Sequence, residues 1–145
     1  MKDLSLEEYR ALAELRYQIR QFLAFSEGLS RYVGLEPQQH QLMLAIRGLP
    51  EEATATIGEL ARRLQLRHHS TVELVDRLEK LGYVARRQSE RDRRAVIVHL
   101  TRAGAAILRK LSLEHHQELE IAGPKLARAL RAVGRRQSSR VRGVA

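Results

Sequence analysis

Residues 57–101 read IGELARRLQLRHHSTVELVDRLEKLGYVARRQSERDRRAVIVHLT, and this stretch decides the fold. Its first half carries two helical patterns. Ile57, Leu60, Ala61 and Leu64 recur at the spacing of one helix face. Thr56 precedes them with Glu59 three residues on, a capping-box signature. Leu74, Val75, Leu78 and Leu81 form a second stripe, and Gly82 follows it as glycines follow helix ends. Gln65-Leu66-Arg67 is too short for an independent loop, so Leu66 is expected to be an apolar plug that fixes the angle between the helices. The second half predicts a hairpin. Tyr83-Val84-Ala85 is short and apolar, and Ala95-Val96-Ile97-Val98-His99-Leu100 is β-branched. Between them Arg86, Arg87, Arg91, Arg93 and Arg94 are opposed only by Glu90 and Asp92. A helix pair followed by a basic hairpin is a winged helix-turn-helix, a device for reading double-stranded DNA.

The second helix is expected from about His68 to Leu81, roughly 20 Å long. Its buried stripe leaves His68, His69, Ser70, Val72, Glu73, Asp76 and Arg77 on or near the other side. Ser70 suits a phosphate or a base, His69 an acceptor such as guanine N7 or O6, and Val72 a thymine methyl. The helix start has two readings: Arg67 is a poor N-cap, and Ser70 with Glu73 offers a capping box one turn later. The arginine tip suits a narrow minor groove. Asp92 is expected to orient a neighbouring arginine. The candidate DNA-binding residues are Arg67, His68, His69, Ser70, Val72, Glu73, Arg77, Arg86, Arg91, Asp92, Arg93 and Arg94.

The stretch resembles the DNA-binding core of the MarR family of bacterial transcription regulators. The resemblance is carried by Leu74-Val75-Asp76-Arg77-Leu78-Glu79, Gly82-Tyr83-Val84, Asp92-Arg93-Arg94 and Leu100-Thr101 followed by Gly104, with Leu35-Glu36-Pro37-Gln38-Gln39-His40 upstream. It extends over about residues 5–132. It implies that positions 68–73 enter the major groove and that Asp92-Arg93-Arg94 reaches the minor groove. It also implies a homodimer held by the first, fifth and sixth helices, a near-palindromic operator, a repressor's role and a small aromatic or anionic effector. Two departures stand out: Arg67 where the family often has Ser or Asp, and histidines at both 68 and 69.

Composition narrows the class. The 145 residues suit one domain, and 43% hydrophobic content permits a core, although aromatics reach only 4%. Such an aliphatic helical domain often completes its core against a second subunit. The absence of cysteine excludes disulfides, thiol switches and cysteine–zinc sites. The net charge of +9 falls to +5 without Arg135, Arg136, Arg140 and Arg142, so basicity is not confined to the C-terminal stretch. No apolar run approaches the ~20 residues of a membrane span, and Met1-Lys2-Asp3-Leu4 does not begin a signal peptide. A cytoplasmic protein without membrane contact is expected.

Outside the core, residues 5–33 predict one long helix, with Ser5 and Glu8 capping its start. Leu12, Leu15, Ile19, Phe22, Leu23, Phe25, Leu29 and Val33 give it more apolar surface than one neighbour needs. Pro37 opens a second helix that buries Leu42, Met43, Leu44 and Ile46 and stops at Gly48-Leu49-Pro50. Glu51 to Ala55 reads as a polar loop. Thr101 begins a long helix, Gly123-Pro124 breaks it, and 125–133 form a last short helix. The fold class is thus mainly α with a small β-hairpin wing. The winged core spans about 36–101, dimerisation helices span 5–34 and 102–133, and 134–145 form a basic, disordered tail.

Rival readings stay open at this point. Glu114, His115, His116 and Glu118, with His40 elsewhere, have the chemistry of a zinc site. Adjacent His115 and His116 point apart on a helix, so an exposed polar face is the better reading. Tyr9, Tyr17 and Tyr32 either edge an effector pocket or pack at an interface. No nucleophile–base pair, phosphate loop or catalytic carboxylate pair stands out, so neither an enzyme nor a cofactor is expected. The alternatives to a DNA-binding regulator are a winged-helix protein–protein interaction module and a metal-responsive variant.

Overall fold

The second helical stripe is set by Thr71, Leu74, Val75 and Leu78, which lie at helical spacing and are all buried. The computed structural model describes the backbone of residues 3–141 and the side chains of residues 3–134. Its elements are α1 (Leu6–Tyr32), α2 (Pro37–Arg47), α3 (Ile57–Leu64), α4 (His68–Lys80), β1 (Val84–Gln88), β2 (Val96–Leu100) and α5 (Arg102–Val141). They fall into two compact units. One is Leu29–Ser112; the other is Met1–Gly28 with Leu113–Ala145.

The unit Leu29–Ser112 holds the winged core. Leu42 and Met43 of α2, Leu60 of α3, Leu74, Val75 and Leu78 of α4, Val84 and Val98 of the hairpin, and Leu108 and Leu111 of α5 form one buried cluster. Burying side chains of this size stabilises by roughly 1.5–3 kcal/mol each before entropy is counted. Leu66 packs half-buried on this cluster, as a plug between α3 and α4 should. The turn before it places Gln65 in the left-handed region at φ 55°, and the Leu66 amide closes on Ala61 O at 2.9 Å.

Several details differ from the sequence expectation. α4 starts at His68 with Arg67 as an N-cap that offers no side-chain bond, so the later start at Ser70 is not used. Leu81 is 49% exposed: it is the C-cap of α4, still helical in its dihedrals, and does not join the buried stripe. Buried Thr71 opens the stripe at its other end, and its hydroxyl is satisfied by donating to Arg67 O at 3.0 Å. In α2, Leu44 lies outside the buried face and His40 lies within it. The Thr56 capping box is half made. Thr56 Oγ1 accepts the Glu59 amide at 3.2 Å, but the Glu59 carboxylate turns to Arg62 and Arg63. Hydrogen bonds from Arg62 and Arg63 hold the Glu59 pKa below the usual glutamate range, and the Glu59 carboxylate raises that of Arg62. By contrast, Ser5 and Glu8 complete their box at 2.6 and 3.2 Å.

The segment expected as a polar loop also supplies sheet partners. Val98 N donates to Ala55 O at 2.9 Å, and Thr56 bridges Ile97, so residues 55–56 flank β2 on the edge opposite β1.

In the other unit, α5 runs without a break through Gly123-Pro124. The inward positions His115, Glu118, Ala122, Leu126, Ala129 and Val133 keep one phase across the proline. The missing N–H removes one rung from a long ladder, which is too little to end it against a pattern that continues in register. The helix reaches Val141, so residues 134–141 of the tail expected to be disordered over 134–145 are helical, and 142–145 lie outside the described residues. No helix of the described residues is long and apolar enough to cross a membrane.

His115 is not part of an exposed polar face. It is half-buried, its Nε2 stands 2.7 Å from Ser26 Oγ, and the rings of Phe22 and Phe25 meet it edge-on at 6.1 and 5.7 Å. Much apolar surface of this unit nonetheless faces outward: Tyr9, Leu12, Ile19, Leu23, Leu113, Leu119, Ile121 and Leu130 are all exposed.

Candidate nucleic-acid interface

The exposed parts of α4 and the hairpin tip hold the residues picked out by sequence. At the start of α4, Arg67, His68 and His69 are exposed and Ser70 is half-buried. The N-cap Arg67 makes no side-chain cap bond, so the first N–H groups and the helix dipole are suited to an anion. Further along, Val72 is half-buried while Glu73, Asp76 and Arg77 are exposed. Gly82, at φ 80°, ends the helix and lets Tyr83 N reach Leu78 O at 3.0 Å, which starts β1 at a fixed angle to α4.

The hairpin pairs Val84 with Leu100, Arg86 with Val98 and Gln88 with Val96 in an antiparallel ladder. Its tip, 89–95, is tied by short-range bonds. Ser89 Oγ accepts the amides of Arg91 and Asp92 at 3.3 Å each, and Ser89 N donates to Ala95 O at 3.0 Å. Asp92 Oδ1 accepts the Arg94 amide at 3.0 Å. Asp92 therefore orients its neighbour through the backbone, not by pairing with a guanidinium. Arg91, Arg93 and Arg94 are exposed, and none has an acidic partner among the described residues. Their charge is open to an anionic partner.

Arg86 stands apart from this group. Its guanidinium is 28% exposed and reaches Asp76 at 2.5 Å and Glu79 at 3.0 Å, both on α4. The base of the hairpin is also held by Thr101, whose hydroxyl donates to Gly82 O at 2.6 Å and accepts the Gly104 amide at 3.1 Å. The roles of Ser89, Asp76 and Glu79 were not read from the sequence. A serine two and three residues before the amides it accepts is a turn signal that was available. The α4 carboxylates became partners only through tertiary packing.

In the helical unit a groove of about 530 Å³ is lined by Tyr17, Gln18 and Gln21 of α1 and by Lys125 and Arg128 of α5. Tyr9 and Tyr32 do not line it. Among the described residues no group of three or more His, Asp or Glu is placed to hold a metal.

Residues 33–95 match the model of the MarR family. The chain is 36% identical over 98 residues to an uncharacterised HTH-type transcriptional regulator, YfiV, of Bacillus subtilis, covering 65% of this chain and 59% of the relative. The chain spans about half the length of the relatives it matches, 59% and 48% for two of them. In fold it is similar to AbsC, a MarR family transcriptional regulator from Streptomyces coelicolor, with a TM-score of 0.73 at 19% identity over 99% of both chains. It is also similar to Streptococcus pneumoniae FabT in complex with DNA, with a TM-score of 0.63 at 24% identity over 77% of this chain and 79% of that one. At these identities the structural likeness speaks to the fold alone.

Proposed function

We infer that the chain is a transcription regulator of the MarR type, a reading supported by the match of residues 33–95 to that family's model and by the likeness over 98 residues to an HTH-type transcriptional regulator. From it we propose a homodimeric, sequence-specific double-stranded DNA-binding regulator that acts as a repressor. The observation that carries the proposal is the set of arginines at 91, 93 and 94 with no acidic partner among the described residues, on a hairpin that packs against a helix whose start is Arg67-His68-His69-Ser70. In this reading the first turns of α4, Arg67 to Glu73 with Arg77 behind them, enter the major groove. Arg91, Arg93 and Arg94, oriented by Asp92, meet the minor groove and its phosphates.

The exposed large apolar residues of α1 and α5 support the dimer, because apolar side chains in such number are commonly covered by a partner. A dimer presents two recognition helices about 34 Å apart and so calls for a near-palindromic operator. An anionic effector is part of the same proposal. The cations Lys125 and Arg128 beside Tyr17 suit a carboxylate, and a ligand that favours one separation of the helices shifts DNA affinity by its differential binding.

The test is selection from a randomised duplex pool with heparin as competitor. Enrichment of a two-fold-related motif with half-sites about one helical turn apart, bound by two chains, is expected. Recovery of no preferred duplex would point instead to a protein–protein interaction module.

A further inference from the structure

We propose that Arg86 is the positioning residue of the wing. It fastens β1 to the C-terminal half of α4 and so sets where the arginine tip stands relative to the helix that reads DNA, without touching DNA itself. The proposal rests on the DNA-reading function above.

Strand parity comes first. Side chains of paired residues in an antiparallel ladder share a face, and the face alternates with each residue. Arg86 pairs with Val98 and lies two residues from Val84, and both valines are buried at 1% exposure. Arg86 is thus on the face that meets the core and α4, while Arg87 lies on the opposite face with Ile97. An arginine on the inward face must find acidic partners or stay out of the ladder.

Its partners come second. Asp76 and Glu79 sit three residues apart on α4, and the guanidinium places Nη2 on one carboxylate and Nη1 on the other. The planar fork suits this two-point grip, which a single ammonium does not reproduce. Both carboxylates are about half exposed, at 51% and 43%, so the clamp adds little to global stability. Its consequence is geometric: it fixes one strand of the wing to one turn of the helix. It also covers two negative charges that would otherwise repel phosphates.

The contrast with the tip comes third. Arg91, Arg93 and Arg94 have no acidic partner among the described residues, and Arg86 has two. One arginine anchors the hairpin and the others are left to bind.

The experiment uses the full chain, the duplex selected from the randomised pool, and a scrambled duplex of the same composition. The readout is the ratio of the two affinities. Arg86→Lys keeps the charge and loses the fork, and is expected to lower the ratio about tenfold while melting stays within a degree or two of the parent. Asp76→Asn with Glu79→Gln should lower the ratio equally, and adding Arg86→Lys should lower it no further. Amide hydrogen exchange of the DNA-free protein should speed up in 84–95 and stay unchanged in α3. Full retention of the ratio in Arg86→Lys overturns the proposal. So does a loss that the carboxylate variant does not reproduce, which would mark Arg86 as a direct contact. If the parent binds no duplex, the DNA reading fails by itself, and unchanged exchange in 84–95 would still overturn the clamp.

Discussion

Gly104 of α5 lies so close to Tyr83 that a Cβ built on it would stand 2.0 Å from the Tyr83 carbonyl oxygen. The same carbonyl accepts the Thr101 amide at 3.0 Å, so it cannot move aside without losing that bond. Backbone on backbone leaves nothing flexible to yield. Gly104→Ala should therefore destabilise the core by at least about 2 kcal/mol, as overpacking at a rigid contact does. A urea titration followed by circular dichroism would show the midpoint falling; an unchanged midpoint would mean that α5 can shift away from the hairpin base.

Gln65 ends α3 in the left-handed region, where a side chain costs roughly 1–2 kcal/mol and glycine costs none. Glycine also has more freedom to lose on folding, which offsets part of that gain. Gln65→Gly is expected to raise stability by about 0.5–1 kcal/mol and to leave DNA affinity alone, since Gln65 is exposed in the turn between α3 and α4. Thermal melting checks the first part and a gel-shift titration the second.

The Glu59 carboxylate has its pKa lowered, first by the hydrogen bond from Arg62 and then by that from Arg63. A lowered folded-state value means that the unfolded chain takes up the proton first. The contribution is full above the ordinary glutamate range and is lost as pH falls through the lowered value. Glu59→Gln should thus trail the parent in stability at neutral pH, and the gap should close in acid. The pairs lie at the surface of a short helix and the effect is small, so paired urea titrations at several pH values are the suitable measurement. A gap that widens in acid would contradict the sign.

Much of this was legible in the chain. The stripes Ile57–Leu64 and Leu74–Leu78 named α3 and α4 because both helices bury one face, and periodicity records burial. The hairpin was legible in Val96 to Leu100, which is β-branched and flanks a charged tip. Arg86 was grouped with that tip because charge was read along the line of sequence, while strand parity, counted from Val84, places it on the face where it meets Asp76 and Glu79. Pro124 was taken for a break because a proline is a local signal, whereas the helix is held by a stripe of inward positions on both sides of it. His40 and Thr71 could not be placed in the core by residue type, since polar residues are buried only where a partner awaits them.

Arg94 has its amide fixed by Asp92 and its guanidinium exposed, without an acidic partner among the described residues. Arg94→Ala should weaken binding to the selected duplex by about 1–3 kcal/mol and leave the association of the protein with itself intact. If about eight phosphates are neutralised per dimer, log affinity should fall with log salt at a slope near −7, and losing one contact per protomer should make it shallower by about 2. An Arg94→Ala variant with the parent's affinity and slope would remove the wing from the interface.

Ile121 and Leu130 of α5 are 67% and 62% exposed, the most open large apolar side chains of that helix among the described residues. About two thirds of each side chain is open, so a charge at either position disturbs little within its own unit. In the proposed dimer the same positions are covered by the partner, and a carboxylate there would be buried without a counter-ion, at a cost of several kcal/mol per site. Ile121→Glu and Leu130→Glu should each leave the helical circular dichroism of the chain unchanged. Sedimentation should then report single chains in place of pairs. Because two half-sites contribute to operator affinity only when their readers are joined, binding to the selected duplex should fall toward that of the scrambled one. A variant that stays paired at micromolar concentration would show that this face of α5 lies outside the seam. A single chain that keeps its full preference would show that pairing is not what sets operator choice.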